Sequence, residues 1–464
     1  MVLNELERRL FQILRSIAPV SLTIRVTGGW VRDKLLGISS HDIDVAVDKC
    51  SGEEFAMLFK DVPEVSGIIT NPEQSEHLHT AKMQVLGIEI DCNRLRAETY
   101  TKDSRIPEIV PGSPEQDAFR RDFTVNALFY NLGLEQVEDF TGKGLEDLEK
   151  KTLRTCKDAK ESFEEDPLRI LRAVRFASRL GFACDEDLVA QAQYCAHLIS
   201  TKVSSERVGM ELMGMLECKD PSQVANGVSL MVKFGLFPHI FTFPRDSETK
   251  REDCPWNEKA LEEVVKVCNK LSGFTHKNID GIPCPEAWLC AMLWRFNANS
   301  YVVSSKNGKS EPLLSHFVRH CIKCPTSSCT SALTIQESCR RIAQAVEHVH
   351  SDSEIIRELE KSIVAVAEAL HNASSSWKDV VRLLDSLSVM NGDLLMMWIE
   401  DRGLGGIWEW KPPLNGKQVM STFNVKGPAV GTLMKKQFEW RVYHPGQTTE
   451  HCIAFIKEYL EKKS

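Results

Sequence analysis

The chain has 464 residues, 42% of them hydrophobic, and a formal charge of −8. Its length predicts several domains rather than one core, and no apolar run reaches the roughly 18 residues of a membrane-spanning helix. Fifteen cysteines, an odd number scattered without a secretory signal, read as reduced thiols of an intracellular protein rather than a disulfide framework.

Taken in chain order, the first residues carry Glu5 and Glu7, which transit peptides avoid. A cytoplasmic and/or nuclear location is therefore expected, with a mitochondrial isoform left open. An apolar strand (LTIRV, 22–26) leads into Gly28 and Gly29, a short helix (WVRDKLLG, 30–37) and an acidic strand (DIDVA, 42–46). Side chains two apart on a strand share a face, so Asp42 and Asp44 aim two carboxylates at one spot and bury Ile43 behind them. Two hard carboxylates on one strand are what Mg²⁺ requires, especially when a phosphate completes its shell. Gly28 and Gly29 let backbone N–H groups approach phosphate closely, and Arg32 supplies a fork-shaped donor. A glycine pair with Asp-x-Asp also occurs in plain turns, so these residues alone leave both readings open. Further on, IEIDCN (88–93) places Glu89 and Asp91 on one strand face. Either can complete a trio of carboxylates, and Asp91 is preferred.

Four more strings follow: GSPEQDAFRRD (112–122), RRDFTVNAL (120–128), DFTGKGLEDL (139–148) and EDPLRILRAVRF (165–176). Together with GGWVRD and DID, they resemble the successive motifs of the class II tRNA nucleotidyltransferases, the CCA-adding enzymes, and their bacterial poly(A) polymerase relatives. AETYTKDSRIP (97–107) followed by GSPEQDAFRRD is similar to the eukaryotic branch, and LNGKQVM (414–420) and GPAVG (427–431) resemble the family's tail. The resemblance is dense over 24–216, thin from about 240 to 400, and returns in the last 50 or so residues. It implies an α+β protein: a mixed-sheet nucleotidyltransferase head (1–150), then a helical neck (151–216), body (217–400) and basic tail (401–464). It implies template-independent addition of C, C and A to the 3′ end of tRNA from CTP and ATP, with Mg²⁺ held by Asp42 and Asp44 and catalysis by Asp42, Asp44 and Asp91. Arg120 and Arg121 are then contacts to phosphate or base edge, and Asp122 to the ribose. Two departures stand out: His79 where an acid is usual, and Cys92-Asn93 closing the Asp91 strand. The segment Tyr100–Glu115 matches a flexible loop needed for the final A, which argues against an enzyme adding only C.

The helix strings also have a direct chemical reading. Asp166 and Arg169, three apart, share a helix face. One acceptor beside one donor matches the amino group and ring nitrogen that cytosine and adenine both present, and refuses uracil and guanine. The plain alternative is that Asp166 and Pro167 merely start a helix. Arg172 and Arg175 continue the row and suit phosphate, or else form a solvated basic stripe. Arg207 and Glu211, four apart, could pair with each other.

Beyond the neck, 241–258 reads as a polar connector and 304–312 as a loop between body helices. His316, His320, Cys321, Cys324 and Cys329 have metal-like spacing but no second CxxC and no chelating partner, so they read as ordinary thiols and histidines. From Lys411 onward, nine Lys or Arg face four Glu, a formal +5 on an otherwise acidic chain. That clustering points to RNA phosphates, with Lys435, Lys436 and Arg441 beside Trp440 and Tyr443 as the RNA-binding residues. No membrane contact and no obligate protein partner is expected. The readings that stay open are a poly(A) polymerase-like enzyme, a CC-only or A-only enzyme, and a non-catalytic RNA-binding relative.

Overall fold

The computed structural model describes residues 1–464 apart from 41, 71–79, 100–107, 244–255, 278, 297–300, 304–309, 350 and 463–464. His79, Arg105 with most of the expected flexible loop, and parts of the connector and of the body loop therefore lie outside the described residues. The chain forms two compact units, Met1–Glu211 with Lys233–Ile240, and Leu212–Val232 with Phe241–Ser464.

The first unit is built on a seven-stranded mixed sheet. Its strands are β1 (Ile24–Thr27), β2 (Ile43–Val47), β3 (Val65–Thr70), β4 (Ala81–Val85), β5 (Ile88–Arg94), β8 (Leu128–Asn131) and β9 (Gln136–Asp139). They run in the order β3-β4-β5-β2-β1-β8-β9. A separate antiparallel ribbon joins β6 (Arg96–Thr99) to β7 (Glu108–Pro111). Only β2 and β5 are parallel within the large sheet, with Asp44 opposite Asp91, while β1 sets Thr27 opposite Asp44. Alternation explains the burial: Ile43, Val45 and Val47 are buried and Asp44 lies on the other face, half-buried. The helix Glu5–Ile17 covers the sheet with Leu10, Phe11 and Leu14, and the Phe11 ring meets Trp30 edge-on at 5.4 Å. Each such apolar side chain contributes about 1.5–3 kcal/mol through burial.

After the sheet the unit becomes helical. Leu168–Leu180 is two-faced: Leu168, Ile170, Leu171, Ala173, Val174 and Ala177 are buried in apolar contact, and Arg172, Arg175 and Arg179 line a cleft. Gly181, at φ +65°, ends it in the left-handed conformation glycine accepts without strain. The connection 139–148 is a tied turn. Asp139 accepts from the Thr141 hydroxyl and amide and from the amides of Gly142 and Leu145. A Cβ on Gly144 would sit 2.7 Å from the Thr124 carbonyl, so only glycine fits there.

The second unit is helical apart from one short ribbon, Tyr301–Val303 with Ser310–Pro312, among the described residues. Its longest helix among the described residues is Thr326–Ala345, followed by Glu258–Gly273 and Pro428–Tyr443. Phe241 and Trp256, at the two ends of the expected polar connector, are buried and pack ring against ring at 6.0 Å. The last helices, Gly416–Phe423, Pro428–Tyr443 and Thr449–Glu461, enclose Leu414, Val419, Leu433, Trp440, Cys452 and Ile456. Trp440 is thus part of this small core, stacked on His444, rather than exposed beside the lysines. Tyr443 is exposed.

Candidate active site

A cleft of about 740 Å³ in the first unit is lined by Gly28, Gly29, Arg32, Asp42, Asp44, Arg120, Arg121, Asp122, Asp166, Arg169, Arg172 and Arg175. Every nucleotide-site residue expected from the sequence is there. Gly28, with φ +75°, precedes the helix Gly29–Leu35. A Cβ on it would meet an Arg121 guanidinium nitrogen at 3.3 Å and an Asp44 carboxylate oxygen at 3.5 Å. The positive φ therefore calls for glycine, and a side chain here would also press on Arg121.

Asp42 lies one residue before β2 and is exposed; Asp44 is on the strand. Burial, and then the negative charges of Asp42 and Asp91, push the Asp44 carboxyl up to about 6, against the pull of Arg121. Asp91 is not among the cleft-lining residues but stands in register beside Asp44 on the parallel strand. Glu89 sits two register pairs further back toward the start of β5, opposite Gln84. Lys82 holds both acids, at 2.6 Å from Glu89 and 3.3 Å from Asp91. Two carboxylates that crowd a third, Asp44, and raise its proton affinity complete a donor set that a divalent cation would relieve, so these residues fit Mg²⁺.

The arginines are held by acids, one of which, Asp117, sequence reading passed over. Asp117, 1% exposed, accepts from Arg120 at 2.6 and 2.9 Å through one oxygen and from Arg121 at 2.8 and 3.0 Å through the other. Burial would raise this carboxyl, yet the two guanidiniums hold it below the usual range. Its spacing, three and four residues before the arginine pair on a helix, was the available signal. Asp122 is buried too: one oxygen accepts from Arg172 at 2.7 and 2.8 Å, the other from the Phe123 amide and the Asn126 side chain. Asn126 in turn accepts from Arg32, which is paired with Asp33 at 2.6 Å. At the far end Glu211 binds both Arg172 and Arg175. Three guanidiniums, from Arg32, Arg172 and Arg175, also stand 4.4–5.3 Å from the centre of the Phe176 ring. Exposed Arg179 lines the same cleft.

Asp166 serves two partners at once. One oxygen accepts from the Leu168 amide at the helix start, and the other from Arg207 at 2.9 Å. Arg207 and Glu211 therefore do not pair with each other; Arg207 turns to Asp166 and Glu211 to the Arg172–Arg175 row. Arg169, 6% exposed, donates to the Ser162 hydroxyl at 2.9 Å and the Arg120 carbonyl at 2.7 Å. These contacts fix the plane of the guanidinium while using fewer than its five N–H donors.

The tail residues form a different kind of site. Lys435 is exposed on the helix Pro428–Tyr443, whereas Lys436 pairs with Glu439. Arg441 lies 4.8 Å over the Trp410 ring and donates to the Lys411 carbonyl.

Residues 24–154 match the poly(A) polymerase head domain, and 181–245 match the probable RNA and SrmB-binding site of polymerase A. The chain is 32% identical to tRNA nucleotidyltransferase cca2 of Schizosaccharomyces pombe, over 98% of each protein. It is 31% identical to the mitochondrial CCA tRNA nucleotidyltransferase of Saccharomyces cerevisiae, over 96% of this chain and 89% of that one. The fold matches the Thermotoga maritima CCA-adding enzyme in complex with tRNA, with a TM-score of 0.65 at 19% identity, covering 99% of this chain and 96% of that one. It also matches the Bacillus stearothermophilus CCA-adding enzyme in complex with CTP, with a TM-score of 0.66 at 19% identity, over 99% of both chains. Full-length similarity at this level, on a head that carries the nucleotidyltransferase motifs in one cleft, establishes that the chain belongs to the CCA tRNA nucleotidyltransferase family.

Proposed function

We propose that the protein completes tRNA by adding C, C and A to its 3′ end from CTP and ATP. The observation that carries this reading is a single cleft lined both by carboxylates suited to a divalent cation and by a row of fixed arginines. In each step the RNA 3′-oxygen attacks the α-phosphorus, the bond to pyrophosphate breaks, and pyrophosphate leaves. Asp42 and Asp44, supported by Asp91, would hold Mg²⁺, which when bound would supply Lewis-acid activation of the 3′-hydroxyl and charge neutralisation of the departing pyrophosphate. Arg32, Arg120, Arg121, Arg172 and Arg175 meet the triphosphate, each already aimed by an acid or amide partner. Asp166 accepts from the amino group of C or A while Arg169 donates to the adjacent ring nitrogen. Asp122, tied to Arg172, positions that arginine and faces the ribose.

In this reading the chain divides into head, neck, body and tail at about 150, 216 and 400. The tail residues Lys435, Lys436 and Arg441 hold tRNA phosphates. No helix among the described residues is long and apolar enough to cross a membrane. The proposed location is the cytoplasm or nucleus; similarity to the mitochondrial enzyme of Saccharomyces cerevisiae makes mitochondrial delivery the second reading.

The test supplies CTP, ATP, GTP and UTP one at a time to tRNA ending before, within and after the two C residues. The proposal expects C on the first two ends, a single A after CC, and then a stop. Repeated A addition would indicate a poly(A) polymerase, a single A on CC ends alone an A-adding enzyme, and no product a non-catalytic relative.

A further inference from the structure

The histidines at 316 and 320 gain in the fold the chelating partner that the sequence did not offer. Glu311, on the short strand Ser310–Pro312, directs one carboxylate oxygen to both rings: 3.8 Å from His316 Nδ1 and 3.2 Å from His320 Nε2. The three donor atoms all lie within 4.8 Å of one another. In a tetrahedral zinc site with bonds of about 2.0–2.1 Å, neighbouring donors are about 3.3 Å apart. Two of the three edges already approach that spacing.

The surroundings resemble a prepared site. A metal-binding histidine commonly gives its other ring N–H to a backbone carbonyl, which fixes ring and tautomer. The His316 ring is hydrogen-bonded to the backbone of Thr242. The second oxygen of Glu311 accepts from the Ser315 hydroxyl at 3.1 Å. Two imidazoles and one carboxylate are softer than the oxygen-only set at Asp42 and Asp44, so the two sites select different ions.

We propose that Glu311, His316 and His320 form a Zn²⁺ site in the helical unit, with water in the fourth position, pinning the strand Ser310–Pro312 to the helix that follows it. The test titrates the metal-free full-length protein with Co²⁺ and reads its visible absorption, then repeats this with His320→Gln and Glu311→Gln. His320 is half-exposed, so its replacement leaves the fold intact. The wild type should show a tetrahedral-type band saturating at one equivalent, without the intense near-ultraviolet band of a thiolate ligand. Each variant should bind more weakly by at least the roughly 10- to 100-fold that losing even an orienting partner costs. Nucleotide incorporation by His320→Gln should match the wild type. A wild type with no saturable band, a thiolate-type spectrum, or wild-type Co²⁺ affinity in either variant would overturn the site.

Discussion

The cations of the cleft and those of the tail differ in how they are held. In the cleft, Arg120 and Arg121 share Asp117, Arg172 shares Asp122 and Glu211, and Arg32 is tied to Asp33 and Asn126. Their positions are settled before a ligand arrives, at the cost of burying charge, as suits a small triphosphate that must be placed for in-line attack. In the tail, Lys435 projects from a helix, and Lys436 has a partner three residues on, Glu439, and the Tyr459 ring at 5.4 Å. Such charges meet a long polyanion by counterion release and need little geometry. A buried network predicts large, coupled mutational losses; a solvated cluster predicts small, additive ones.

The largest effect should come from Asp44→Ala. Loss of a metal-binding carboxylate should slow single-turnover incorporation by well over tenfold, more than about 1.4 kcal/mol in the barrier. Next is Asp117→Ala, which strands two partly buried guanidiniums. Breaking such a pair costs about 3–5 kcal/mol of stability, readable by chemical denaturation, and CTP binding should weaken with it. If Asp117→Ala were neutral in both measurements, the preset arrangement would not matter. Asp166→Ala should relax selection of CTP and ATP over UTP and GTP in competition assays, because it leaves a polar edge unpaired. Unchanged selection with reduced thermal stability would make Asp166 a helix-start residue alone.

The same comparison shows what could be read from the sequence. The glycine pair, the Asp42–Asp44 spacing and the arginine-bearing strings located the cleft because their chemistry is local to a strand or one helix face. The partners of those arginines were harder to see. Asp117 was within reach through helical spacing, but Glu211 reaches Arg172 and Arg175 only once two helices pack, and that packing also draws Arg207 away to Asp166. Trp440 misled for the opposite reason: an aromatic among lysines suits RNA, yet it fills the small core of the last three helices. Glu311 meets His316 and His320 through a strand that the sequence placed in a loop.

Smaller effects sharpen the contrast. The Asp44 carboxyl, at about 6, stands above its ordinary value of 3.8, so the folded protein holds that proton more tightly than the unfolded chain does. Stability from this source is present below the unfolded value and fades as pH rises through about 6. Mg²⁺ must displace the proton, so the Mg²⁺ needed for half-maximal rate should rise by up to roughly tenfold per pH unit below the folded value and level off above it. Smallest should be the Lys435→Gln, Lys436→Gln pair, which should flatten the log–log salt slope of tRNA binding by about 0.7–0.9 per lost contact. An unchanged slope would shift the RNA anchor to Arg172, Arg175 and Arg179.

The division of labour between the two regions is tested most directly by one crossed experiment: single-turnover CTP incorporation as a function of tRNA concentration, for Asp44→Ala and for the Lys435→Gln, Lys436→Gln variant. Asp44→Ala should lose rate at every tRNA concentration while half-saturating near the wild-type value. The tail variant should need more tRNA yet reach the wild-type rate once saturated. A tail variant whose saturated rate falls as far as that of Asp44→Ala, or an Asp44→Ala protein that recovers at high tRNA, would contradict the account.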